Sequence, residues 1–162
     1  PRVTHVTEGD ELDLGGLTLR CVGLPGHTEG SMGYLCPELG VLLSGDAVTP
    51  VMCLCFDESL PVAAWRATLA KMADLPFERF YTGHHRHAFT KADLPGFEAA
   101  ADFAERDRGF AWHHGAVADW EGTCHLCPCD TSDVDSPEFR AVITRGLPEP
   151  LPRRSSRSRR RT

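Results

Sequence analysis

Three short apolar runs in this chain each stop at a glycine that is followed at once by a side chain able to hold a metal. Leu17 to Gly23 leads into Leu24-Pro25-Gly26-His27-Thr28-Glu29-Gly30-Ser31. Gly40 to Ser44 leads into Gly45-Asp46, and Phe80 to Thr82 leads into Gly83-His84. Apolar runs of this length, bounded by glycine and proline, read as strands. Pro25 and Gly26 end the first strand in a stiff turn, so His27 is held at its tip rather than on a floppy loop. Thr28 and Ser31 are placed to hydrogen-bond local backbone. A lone loop histidine would carry little weight. Three strands that end alike can set His27, Asp46 and His84 along one edge of a sheet, and two imidazoles with a carboxylate suit a borderline metal.

The order and spacing of Pro25-Gly26-His27-Thr28-x-Gly30-Ser31, Ser44-Gly45-Asp46 and Thr82-Gly83-His84 resembles the second half of the metallo-β-lactamase superfamily, from about Asp10 to about Phe89. The resemblance implies an α/β fold, a metallo-β-lactamase-like αββα sandwich. This chain would form about one half of it, a mixed sheet with two covering helices. It also implies that His27 binds one metal, that Asp46 bridges two metals and is catalytic, and that His84 binds the second. The metal would be zinc, two per intact domain, with iron as the alternative. The implied activity is that of a hydrolase acting on a small-molecule substrate. A metal-bound hydroxide would attack an ester, thioester, lactone, amide or phosphoester. Two other readings stay open: an iron-dependent enzyme of the same fold that oxidises thiols or persulfides, and a non-catalytic binding module.

The family's first ligand cluster, His-x-His-x-Asp-His, has no counterpart in this sequence. His84-His85-Arg86-His87 is the nearest look-alike, but it stands at the position of the final ligand. Zinc takes three or four protein ligands. His27, Asp46 and His84 supply two per metal even when Asp46 is shared, so the chain by itself is expected to bind metal weakly and to turn over little. Its 162 residues begin at Pro1, which leads us to expect a fragment that lacks the N-terminal half. His85 and His87 flank the last ligand. They either orient it or meet substrate, or they are solvent-exposed loop histidines.

The cysteines number seven, an odd count, and Cys21, Cys36, Cys53 and Cys55 are scattered. Free thiols in a reducing compartment explain them best, which points to the cytoplasm. Cys124-His125-Leu126-Cys127-Pro128-Cys129 is different: Cys124, Cys127 and Cys129 are candidates for a second metal site, against a redox pair or ordinary loop thiols. His113 or His114 could supply a fourth ligand. Net charge is −6, and six arginines in the last ten residues leave −12 on the rest. An acidic body makes nucleic acid an unexpected partner, except weakly through the arginine tail. No apolar run approaches the ~18 residues a membrane span needs. The sequence leaves the oligomeric state open.

Further reading divides the chain into residues 1–108, the half-domain; 109–146, an irregular extension with the cysteine cluster and one closing strand; and 147–162, a disordered Pro/Arg-rich tail. Val3 to Val6 is read as a short strand. Glu11 to Leu14 and Leu17 onward form a hairpin about Gly15-Gly16. Val41 to Ser44, continuously apolar, is expected to be buried on both faces. Ala47 to Asp57 reads as an irregular apolar loop that either covers the core or lines a substrate pocket. Ser59 to Ala73 reads as a helix capped by Ser59, with Val62, Trp65, Leu69 and Met72 on its buried face. Thr90 to Arg106 reads as a second helix, with Thr90 and Asp93 as a capping-box pair.

Overall fold

The computed structural model describes residues 3–115, 117, 119–129 and 131–148. Among the described residues, ten strands and two α-helices follow one another. They are β1 (Glu11–Asp13), β2 (Thr18–Gly23), β3 (Met32–Cys36), β4 (Val41–Gly45), β5 (Val51–Leu54), α1 (Val62–Asp74), β6 (Arg79–Thr82), β7 (Phe89–Thr90), α2 (Leu94–Arg106), β8 (Phe110–His113), β9 (Glu121–Leu126) and β10 (Ala141–Thr144). They form two sheets, of order β1-β2-β3-β4-β6-β7 and β5-β10-β9-β8.

The direction of the strands in the first sheet decides where the site lies. β2 is antiparallel to β3, β3 is antiparallel to β4, and β4 is parallel to β6. Strands β2, β4 and β6 therefore run the same way, and the residues that follow them leave the sheet at the same edge. Those residues include His27, Asp46 and His84.

One face of this sheet is covered by the helices. Val22, Leu35, Leu42 and Phe80 alternate onto that face and pack with Trp65, Leu69, Met72 and Phe97 in the main core. Phe80 stacks on Phe89 at 5.4 Å and lies edge-on to Phe77 at 5.9 Å. The helices are tied to each other by Arg66, which reaches Asp102 and, at 2.8 Å, Glu105. The opposite face buries Cys21 but is open at its centre. Leu43 is 41% exposed and Tyr81 is 36% exposed. The expectation that Val41 to Ser44 is buried on both faces is thus corrected: a continuous apolar run here marks one face under helices and one open face.

The second sheet corrects two more expectations. Val51–Leu54, inside the supposed irregular loop, is a strand, and it pairs in parallel with β10 some ninety residues later. Residues 109–146 are more than one closing strand, since β8, β9 and β10 all belong to this sheet. Its Met52, Leu54 and Val142 join the main core, while Val51, Cys53, Cys124, Trp112 and Ile143 form a smaller cluster on its other face.

Val3 to Val6 carries no strand. Ser59 does not cap α1; the N-cap is Pro61, with no side-chain cap. The Thr90–Asp93 capping box is present, closing a short 3-10 turn at Lys91–Asp93 from which α2 starts with Pro95 in its first turn. Residues 149–162, with the arginine-rich tail, lie outside the described residues. No helix among the described residues is long and apolar enough to cross a membrane.

Candidate metal centre and substrate pocket

The turn that carries His27 is clamped to the start of α1. The Thr68 hydroxyl donates to the Pro25 carbonyl at 2.6 Å, the Leu60 amide donates to Gly26 at 2.9 Å, and the Ser59 hydroxyl donates to the His27 carbonyl at 2.7 Å. Ser59 is thus spent on holding the turn. Gly26 lies flat on Trp65, where a Cβ would come within 3.2 Å of the tryptophan Cβ. The His27 ring is fixed as well: its Nδ1 is 2.8 Å from the Cys53 carbonyl. A carbonyl only accepts, so Nδ1 carries the proton and Nε2 of the neutral ring keeps its lone pair. That is the tautomer a metal ligand requires.

Asp46 and His84 are brought together by the parallel pair β4 and β6. The Gly83 amide donates to the Gly45 carbonyl at 3.0 Å, and Ser44 Oγ lies within hydrogen-bond range of the carbonyls of both Val48 and Tyr81. His84 Nε2 lies 3.1 Å from Asp46 Oδ1. The two are close but not aligned, for Oδ1 is buried and makes no hydrogen bond. A buried carboxylate oxygen without a partner is costly unless a cation or donor completes it.

His27, Asp46 and His84 all line one pocket of about 500 Å³. Its floor is the second sheet's smaller cluster, with Val51, Cys53, Trp112 and Ile143. His85 lines it too, and burial is the main cause that lowers the pKa of its imidazole, followed by the neighbouring His87. His87 instead packs edge-on to Phe89 at 4.5 Å. Burial pushes the Cys53 thiol up to about 12, with Cys55 adding to the shift. It is therefore a neutral thiol near pH 7.

The three ligand candidates share this pocket but are not drawn into a finished site. Among the described residues, no group of three or more His, Cys, Asp or Glu is gathered closely enough to hold a metal ion. The same holds for Cys124, Cys127 and Cys129. Cys124 sits in the smaller cluster, whereas Cys127 packs against the main core. An odd spacing at the end of a strand sends the two thiols to different sides. His125, between them, is buried and faces Asp107 at 3.4 Å. All seven cysteines are free thiols. His113 faces Glu121 at 3.6 Å, and His114 lines the pocket.

The family model described as the metallo-beta-lactamase superfamily matches residues 1–84. The chain belongs to this superfamily. A hydroxyacylglutathione hydrolase-like protein of Homo sapiens is 32% identical over 96 residues, which cover 56% of this chain and 32% of that protein. A hydroxyacylglutathione hydrolase of Ruegeria pomeroyi is 30% identical over 87 residues, covering 54% of this chain and 34% of that one. The chain spans about a third of the length of these curated relatives. Among solved structures, a beta-lactamase domain protein from Burkholderia ambifaria superposes with a TM-score of 0.57 at 24% identity, over 67% of this chain and 36% of that one. The crystal structure of ETHE1 from Myxococcus xanthus gives 0.51 at 25% identity, over 59% and 44%. The metallo-β-lactamase fold expected from the sequence is therefore present.

The strand-end motifs point to one sheet edge, which His27, Asp46 and His84 do share. The stretch 47–57, read as covering the core or lining a pocket, supplies Phe56 to the pocket's far wall. Phe56, Trp112, His114 and Trp120 line it. Trp112, His113, His114 and Trp120 stand out in the sequence as polar aromatics, but nothing local ties them to His27.

Proposed function

We propose that this chain carries the C-terminal metal ligands of a hydrolase, with His27, Asp46 and His84 in that role. The observation that carries the reading is the Asp46 carboxylate: its Oδ1 is buried without a hydrogen bond beside His84 Nε2, in a pocket shared with a His27 ring whose Nδ1 is already engaged. Donor chemistry and tautomer fit zinc or iron. The ligand count does not reach a full site, so the reading requires further ligands from outside the described residues.

A metal held there would polarise a carbonyl and acidify a water. The protein's own part is to fix the His27 ring through the Cys53 carbonyl and to hold Asp46 against His84. It also lines the pocket with apolar groups, Val51, Trp112 and Ile143 among them. Thioesters come first as substrates because the relatives are named hydroxyacylglutathione hydrolases. Seven free thiols favour a reducing compartment, and we place the protein in the cytoplasm.

The test is to load the full-length protein with zinc and separately with iron(II), then to follow thioester hydrolysis and oxygen uptake. Thioester hydrolysis with zinc, lost together with metal retention in Asp46→Ala, is the expected result. Oxygen uptake with iron and a persulfide would replace the hydrolase by the oxidising reading, towards which the likeness to ETHE1 points. Full activity in Asp46→Ala would overturn both.

A further inference from the structure

An unbroken chain of rings leads away from His27. His27 meets Phe56 with centroids 5.3 Å apart, Phe56 meets Trp120 at 4.8 Å, Trp120 meets His114 at 5.2 Å, and His114 meets Trp112 at 5.9 Å. Each contact is edge-to-face, with interplanar angles between 69° and 82°. This is the favourable arrangement of ring quadrupoles, and it holds the rings at fixed angles. Three of the five rings come from the β8–β9 hairpin, which lies beyond the residues matched by the superfamily model. The His114 amide donates to the Trp120 carbonyl at 2.9 Å, and the Val117 amide donates to the His114 ring at Nδ1, 3.0 Å away.

Trp112 packs against the smaller apolar cluster of the second sheet, whereas the outer rings stay open. Trp120 is 42% exposed at the pocket mouth, and Phe110 on the same hairpin is 52% exposed. Large aromatic surface held open beside a pocket of ligand size marks a binding wall rather than a packing seam. Phe56 and Trp120 also border an adjoining groove of about 270 Å³, where Asp57, Glu58, Asp119 and Glu121 stand. Arg145 approaches Asp57 at 4.0 Å, which leaves that groove predominantly negative.

Taking the pocket to be the active site proposed above, we infer that the Phe56–Trp120–His114–Trp112 wall binds a flat, uncharged, aromatic portion of the substrate. The scissile group then lies on the side of His27, Asp46 and His84. Rings lining the wall offer faces and edges for stacking, and the neighbouring carboxylates repel an anionic substituent on that portion. The β8–β9 hairpin is in this way the element that sets specificity, while the superfamily-matched region sets the chemistry.

The experiment uses the 162-residue chain and two probes, neutral N-benzylacetamide and its carboxylated analogue 4-(acetamidomethyl)benzoate, followed by ligand-observed NMR. Zinc uptake is measured in parallel by calorimetry. N-benzylacetamide is expected to bind, with affinity lowered about tenfold by Trp120→Ala and largely restored in Trp120→Phe. The carboxylated probe is expected to bind about fivefold more weakly than the neutral one. Trp120 is 42% exposed, and thermal melts of Trp120→Ala beside the parent check that the fold stands. Equal binding of N-benzylacetamide by the parent and Trp120→Ala, or no binding by the parent, overturns the wall. Tighter binding of the carboxylated probe overturns its charge preference. If Asp46→Ala leaves zinc uptake untouched while Trp120→Ala still weakens the probe, the metal reading fails and the wall remains.

Discussion

Gly83 and Asp46 occupy one space: a methyl group on Gly83 would collide with Asp46 Oδ1. The glycine before His84 is therefore required by the carboxylate on the neighbouring strand. The obstacle is the end of a side chain that can swing aside, so the cost falls on the site rather than on the fold. Gly83→Ala is expected to melt within a few degrees of the parent, as a surface change does, yet to lose about ten- to a hundredfold in zinc affinity, as when a group that orients a ligand is disturbed. Calorimetric zinc titration beside a thermal melt checks this. Unchanged affinity would show that Asp46 does not need its present position.

Gly26 makes the opposite case. A Cβ there would meet the Cα and Cβ of Trp65, at 3.3 and 3.2 Å, and neither atom can rotate away. Trp65 is 1% exposed and sits in the main core. Gly26→Ala is expected to cost stability first, about 1–3 kcal/mol of overpacking, and to move the His27 turn with it. Urea unfolding gives the number. A loss of zinc affinity with unaltered stability would mean that the turn does not lean on α1.

The Cys53 thiol should be inert despite lining the pocket. Burial raises it from 9.0 to about 12, which leaves roughly a thousandfold less thiolate at pH 8 than an ordinary cysteine carries. Iodoacetamide at pH 8 is therefore expected to spare Cys53 in the folded chain and to label it readily in urea, as mapped by mass spectrometry. Fast labelling of the folded chain would reveal a nearby cation or an opening of the pocket.

What the sequence made legible follows from how local each signal is. That His27, Asp46 and His84 leave the sheet at one edge was readable because a glycine stop after an apolar run is a feature of adjacent residues, and because parallel β2, β4 and β6 then present their ends together. Strand β5 was not readable. Its partner β10 is some ninety residues away, so the register that makes Val51–Leu54 a strand exists only after the chain has folded. Ser59 looked like a helix cap because its chemistry suits one, but the His27 carbonyl is the acceptor it reaches. The cysteine cluster misled for a related reason. Closeness in sequence suggested a shared site, yet Cys124 and Cys127 belong to different apolar clusters. Trp112 and Trp120 stood out by residue type, but only the edge-to-face contacts of Phe56 with both His27 and Trp120 connect them to the ligand edge.

The link between α1 and α2 should give the protein an acid-side weakness. The Arg66 guanidinium beside Asp102 is the main cause that holds this carboxyl below its ordinary 3.8, with Arg106 adding to it. A carboxylate with a lowered folded-state pKa contributes stability that is fully present above its unfolded pKa. That contribution is lost as pH falls through the folded value. Both partners are solvent-accessible, so the contribution is modest and screened by salt. Asp102→Asn is accordingly expected to lower the melting temperature slightly at pH 7 in low salt. The gap should close in high salt and again as the pH falls below the ordinary carboxylate range. Thermal melts of both proteins across that range provide the measurement. A gap that widens towards acid would have the wrong sign for this pair and would place the stabilising charge elsewhere.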